Sequence, residues 1–201
     1  MELNNRMNTK KIFTCLFFSL FGLLLMFSYK PLEAHAYNYP NKTAAKAGDI
    51  LVTKETNCKT DCKGLSGHAA IVVDSTYYVH ISGPGAHPTK EKLSTWFDSR
   101  YGKSTKVVRP TSQYKGSPAD AAKWAKNYVK EYKDAVYDIT SGNHTFDRTY
   151  CSKLVWQAYN FGTAYPIIAP KHVGGLIHPY DFTTAASGGR YADLETVYTN
   201  W

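Results

Sequence analysis

The alternation of apolar and polar positions divides the chain into short strands followed by helices. GDILVT at 48–53, HAAIVV at 68–73 and TYYVHI at 76–81 have the length and β-branched or aromatic content of strands. SGPGAHP at 82–88 reads as a loop. The stretch 89–100 carries Leu93, Trp96 and Phe97 at helical spacing, and TKVVRP at 105–110 is a strand stopped by Pro110. A helix begins near Ser117, with Pro118 at its first position, Asp120 completing a capping box and Ala121, Ala125, Tyr128, Val129 and Tyr132 as its buried stripe. A polar loop at 137–149 leads into another helix, where Leu154, Val155 and Ala158 follow Cys151 by three, four and seven residues and Gly162 ends the run. Residues 37–47 read as a loose leader, and 164–201 as loops with one or two short elements. Strands in one block and helices in another predict an α+β fold.

The N-terminus adds a different signal. Arg6, Lys10 and Lys11 precede an apolar run from Ile12 to Ser28, and Ala34-His35-Ala36 follows as a small-residue exit. That order predicts a secretory signal over 1–36, cleaved near Ala36, with one secreted domain at 37–201. An uncleaved membrane anchor is the competing reading. Removing 1–36 takes away four basic and two acidic side chains, so the formal charge falls from +8 to +6. A basic exported protein fits an anionic cell-wall polymer or a membrane surface, and plain solubility is the bland alternative. No basic block or motif points to nucleic acid. The predicted mature chain holds Cys58, Cys62 and Cys151, an odd number. A local Cys58–Cys62 disulfide would leave Cys151 free. Cys58, Cys62 and His68 could instead be three zinc ligands, but no fourth has suggestive spacing, so no metal is expected.

Cys151 is then the residue to explain. It is either the first core residue of its helix or a thiol held at the helix's positive end, where backbone N–H groups favour the anion and can hold an oxyanion. A nucleophilic thiol needs a base. His68 opens one strand and His80 closes the next. A two-residue turn at Asp74-Ser75 would turn these histidines to opposite faces. A three-residue turn, Asp74-Ser75-Thr76, pairs Val73 with Tyr77 and makes them diagonal neighbours on one face.

The series GDILV, GHAAIVVD, YYVH, VVRP, YD and FDRTYCSKLV, over roughly residues 47–160, resembles the circularly permuted NlpC-type papain-like proteins. The YiiX-like branch is the nearest fit, and the lecithin–retinol acyltransferases are more distant. The resemblance implies an antiparallel sheet packed against the helix that carries the nucleophile. It implies Cys151 as nucleophile, His68 as general base, His80 as the residue orienting it and Tyr137 at the substrate site, with no cofactor. Many relatives carry Glu at the third position. Together with export and positive charge, it leads us to expect a secreted cysteine peptidase or amidase cutting peptidoglycan stem peptides. Two alternatives stand beside it: the same chemistry on lipid esters or amides, with an apolar groove near Cys151, and an inactive wall-binding module.

Overall fold

The structure is a computed structural model that describes residues 36–56, 67–111, 117–164, 175–183 and 194–201. The predicted signal segment up to His35 and the Cys58–Cys62 pair lie outside the described residues. The chain runs through β1 (Ile50–Thr53), β2 (His68–Val72), β3 (Tyr77–His80), β4 (Thr89–Lys92), helix α1 (Leu93–Asp98), a 3-10 turn (Arg100–Ser104) and β5 (Thr105–Pro110). Helix α2 (Ser117–Glu131), β6 (Val136–Tyr137), β7 (Arg148–Thr149), helix α3 (Cys151–Gly162), a second 3-10 turn (Pro179–Phe182) and β8 (Leu194–Thr199) follow. Six strands form one antiparallel sheet in the order β4-β3-β2-β1-β5-β8, while β6 and β7 make a separate parallel pair. The expected α+β class holds.

Alternation divides the sheet into two buried faces. Ile50, Val52, Ala69, Ile71, Val79 and Val108 meet α2 and α3 on one face. Leu51, Ala70, Val72, Tyr78 and Val107 meet Leu93, Trp96 and Tyr101 on the other. Because both faces are covered, β1 and β2 read as continuous apolar runs, not alternating ones.

The turn between β2 and β3 has the odd length. Ile71 pairs with Val79 and Val72 with Tyr78, and the Val73 N–H donates to the Tyr77 carbonyl. Asp74 causes this: its Oδ1 accepts from the N–H groups of Thr76 and Tyr77 at 3.0 and 2.9 Å, an Asx-type turn that fixes three residues in the loop.

Two segments differ from the sequence reading, the stretch 89–92 and the leader. Residues 89–92 form strand β4 on the edge of β3, and the helix expected over 89–100 starts only at Leu93. All three apolar positions that suggested a helix lie beyond 92, while Lys90, Glu91 and Lys92 alternate across a strand. The leader is not loose: Tyr39 is buried, and its hydroxyl donates to Asp49, which Arg109 grips through Nε and Nη2 at 2.6 and 2.8 Å. The tail holds short elements as expected, the second 3-10 turn and β8, although no sequence period announces the pairing of β8 with β5.

Candidate active site

The site is assembled where the β2–β3 ladder ends. On β2 the Val72 N–H points to β1 and the Val73 N–H to β3, so odd-numbered residues direct their N–H toward β3. The ladder stops at Ile71–Val79, and the Ala69 N–H is left facing the gap. The sulfur of Cys151 occupies that gap. The N–H groups of Ala69, Ser152 and Cys151 itself all face it. Thus α3 packs on one face of the sheet, yet its first side chain reaches between two strands to the residue beside His68.

Local chemistry explains why Cys151 can open a helix there. Tyr150 is extended and gives no side-chain cap, so the first N–H groups of α3 remain available to the sulfur. The segment at Ile177 docks on this helix end. Its carbonyl accepts from the Ser152 hydroxyl at 2.7 Å, and its N–H donates to the Tyr150 hydroxyl at 3.0 Å. Lys153 stands fully buried, and its ammonium donates to Ser141, Thr145 and the Arg148 carbonyl, which clamps the 138–149 loop onto α3. Burial lowers the Lys153 pKa to about 8. Three acceptors for its three donors make it a structural clamp.

His68 and His80 lie on the same sheet face, with His68 Nε2 2.8 Å from His80 Nδ1. Gly67 allows the entry to β2. It has φ of +55°, and a Cβ there would stand 2.5 Å from the Thr53 carbonyl. The His68 ring stacks against both Trp96 and Tyr101, with centroids 5.6 and 4.9 Å away, and those two rings also touch each other. Behind His80 stands Glu91 on β4, its Oε1 3.3 Å from His80 Nε2, while its Oε2 accepts from the Tyr78 hydroxyl at 2.8 Å. The hydrogen bond with His80, supported by Tyr78 and opposed by burial, holds the Glu91 carboxyl down at about 2.

These contacts set the tautomers. An ionised Glu91 only accepts, so His80 donates from Nε2 and carries a lone pair on Nδ1. His68 then donates from Nε2 to His80, and its lone pair is on Nδ1, the nitrogen left for the thiol. Burial, with His80 beside it, holds His68 well below the usual imidazole range. Burial also pushes the Cys151 thiol up, more than the facing N–H groups and the Ser152 hydroxyl pull it down. Burial thus works against the anion that the helix end favours, and shifts both the thiol and the base toward their neutral forms.

Tyr137 is on β6, half-buried, and burial followed by the Cys151 charge raises its hydroxyl pKa. His68 thus pairs directly with His80, Cys151 faces the N–H of Ala69 next to His68, and Tyr137 lies within electrostatic reach of Cys151. Sequence reasoning missed Glu91, whose only signal was an acid alternating with two lysines in a stretch read as helix. Cys151 is a free, buried thiol. Among the described residues no group of three or more His, Cys, Asp or Glu could hold a metal ion. The suggested set of Cys58, Cys62 and His68 lies partly outside the described residues.

Residues 9–186 match the sequence profile of the family described as lipoprotein N-acylation proteins, LnsA-like. The chain belongs to that family. One curated relative, an uncharacterized 30.3 kDa protein of Bacillus thuringiensis, is 33% identical over 144 residues, 67% of this chain and 51% of its own length. The chain thus spans about half the length of that relative. Among solved structures, the crystal structure of metalloprotein yiiX from Escherichia coli O157:H7 superposes with a TM-score of 0.54 at 18% identity, over 78% of this chain and 98% of that one. It bears out the permuted papain-like fold expected from the sequence. Membership of the LnsA-like family overturns the expectation of a peptidoglycan amidase, because the family is described by acylation of lipoproteins and not by cleavage of wall peptides.

Proposed function

We propose that this protein is an acyltransferase that carries a fatty acyl group on Cys151 as a thioester and passes it to an amine, the amino group of a lipoprotein being the acceptor the family's description names. The observation that carries the reading is the hydrogen-bonded series from Glu91 through His80 to His68, whose neighbour Ala69 turns its N–H to a buried thiol. An apolar rim supports a lipid donor. Val136 and Ile139, on either side of Tyr137, and Leu176, next to Ile177, are among the few large apolar side chains left exposed. All three flank segments that touch the N-terminal end of α3 or couple to its thiol. The apolar run at Ile12–Ser28 fits delivery to the outer side of a membrane, where a lipid ester and a lipoprotein would both be at hand.

In the first half-reaction the Cys151 sulfur attacks the ester carbonyl carbon, its proton passes to His68 Nδ1, and the carbonyl electrons move onto oxygen. Collapse breaks the carbon–oxygen bond, and the departing alkoxide takes the proton from His68. In the second half an amine attacks the thioester carbonyl, His68 accepts its proton, and collapse forms the amide and returns the proton to sulfur. Glu91 stays ionised and steadies the positive charge shared by the two histidines.

The test is intact-mass spectrometry of the full chain incubated with phospholipid vesicles, followed by a diacylated lipopeptide with a free N-terminal amine. An acyl adduct on Cys151, absent from Cys151→Ala and discharged onto the lipopeptide, is expected. An adduct that water discharges equally fast with and without the lipopeptide would overturn the transferase reading.

A further inference from the structure

Among the described residues, four buried side-chain polar atoms have no hydrogen-bond partner: Tyr101 Oη, Thr111 Oγ1, Trp156 Nε1 and Gln157 Oε1. An unmet buried hydroxyl costs about 1–3 kcal/mol, so each such atom asks for a reason. Tyr101 has the most suggestive surroundings. Its residue is 5% exposed, and its ring lies 4.9 Å from the His68 ring at an interplanar angle of 20°. Its hydroxyl lies within electrostatic reach of both Cys151 and Glu91. The backbone around it is fixed from three sides. The Tyr101 carbonyl accepts from Thr53 Oγ1 at 2.9 Å and from Thr105 Oγ1 at 2.6 Å, and its N–H donates to Ser99 Oγ at 3.2 Å. The hydroxyl is thus held within electrostatic reach of the thiol by a fixed backbone, unpaired in the resting protein.

We infer that Tyr101 is a further catalytic residue whose hydroxyl donates to the oxyanion formed when Cys151 attacks an acyl carbonyl. This inference rests on the acyl-transfer reading above. The helix end offers the N–H groups of Cys151 and Ser152, and a tetrahedral oxyanion is best held by donors arriving from more than one element. Tyr101 comes from the opposite sheet face, behind His68, and supplies a donor that α3 cannot. Burial, together with the charges of Cys151 and Glu91 and against that of Arg100, raises its pKa to about 12, so the hydroxyl keeps its proton throughout the working range. As carbon–sulfur bond formation moves the carbonyl electrons onto oxygen and the thiol proton goes to His68, Tyr101 gains the partner it lacks at rest. A contact made only in the transition state accelerates the step without tightening the ground state.

Two reagents separate this role from a structural one. Octanoylation by p-nitrophenyl octanoate passes through an oxyanion, and alkylation by iodoacetamide is a direct displacement that forms none. Both are followed on Cys151 by intact mass, with Cys151→Ala as blank. For Tyr101→Phe, which keeps the ring stacked on His68, acylation should slow about 100-fold. Alkylation should stay within about twofold of wild type, and the thermal midpoint should hold or rise because an unmet buried hydroxyl is gone. Equal acylation rates in Tyr101→Phe and wild type overturn the inference alone, and so does a parallel fall in acylation and alkylation. A wild-type thiol that alkylates but takes no acyl group overturns the acyl-transfer reading, and this inference with it.

Discussion

Glu91→Gln is the perturbation that most directly probes the relay. The carboxylate accepts from His80 and fixes which nitrogen of each histidine carries a proton. When the thiol proton reaches His68, the positive charge is shared across both rings, and its near end is 3.3 Å from Glu91 Oε1. At that distance a unit pair interacts by about 1.3 kcal/mol with water-like screening and by about 5 kcal/mol at an effective dielectric of 20. The Glu91 side chain is 38% exposed, so the lower end applies. A loss of about 1–2 kcal/mol corresponds to about a 5- to 30-fold slower acylation plateau. The pH profile carries a second signature. Glu91, at about 2, is ionised across the whole profile, so the acid limb belongs to the base, His68. Removing the negative charge disfavours its cation, so the limb should move to lower pH while the plateau drops. Stopped-flow release of p-nitrophenolate from the octanoate ester, measured from about pH 5 to about pH 8, reads both. A plateau within about twofold of wild type, or a limb that moves upward, would refute the tautomer argument.

Gly67→Ala should cost about 2 kcal/mol or more in urea denaturation, because φ of +55° and a contact of 2.5 Å with the Thr53 carbonyl both oppose a Cβ, and acylation should fall with it as His68 shifts. The buried neutral His68 should make stability pH-dependent. Its folded pKa lies well below 6.5, so between those two values the unfolded chain binds a proton that the folded chain does not, and unfolding free energy should fall by about 1.4 kcal/mol for each pH unit below about 6.5. Above that pH the contribution vanishes, and urea titrations of His68→Gln should show a slope shallower by one proton.

How far the sequence could be read is clearest at the turn. Parity required an odd loop between β2 and β3, and nothing in the hydrophobic pattern decides between two residues and three. The deciding group is the Asp74 carboxylate, which accepts from two successive N–H groups. Asp is a turn former by mechanism, so the signal was present but is indistinct without a partner strand to register against. The Cys151 helix and the strand containing His68 were legible because burial on a helix face, or on both sheet faces, leaves apolar runs. Strand β8 and the fixed leader were not, because their stability comes from remote partners: β5 for one, Asp49 and Arg109 for the other. Glu91 was lost for a related reason. A charged edge strand carries no apolar period, and its acid matters only once β4 is laid against His80.

Peptide cleavage and acyl transfer cannot be separated by a cysteine and two histidines in this arrangement, because both chemistries run through a thioester and a base. What separates them is the second nucleophile. Water at its bulk concentration discharges an exposed thioester, so a transferase needs a site from which water is kept and to which an amine is brought. Cys151, His68 and His80 are respectively 4, 3 and 2% exposed, and both the sulfur and the base have ionisations displaced by burial in the direction of their neutral forms. A neutral pair hidden from solvent is poorly suited to meeting bulk water. It is suited to a carbonyl that arrives with its own apolar chain and keeps water from the thiol. On the acyl-transfer reading, the burial that weakens Cys151 as a free thiolate is the same property that would preserve its thioester until an amine displaces it. The two effects then have one cause: opening the rim by Leu176→Lys should raise hydrolysis of the octanoyl thioester relative to its transfer, while leaving the rate of its formation by a small activated ester nearly unchanged.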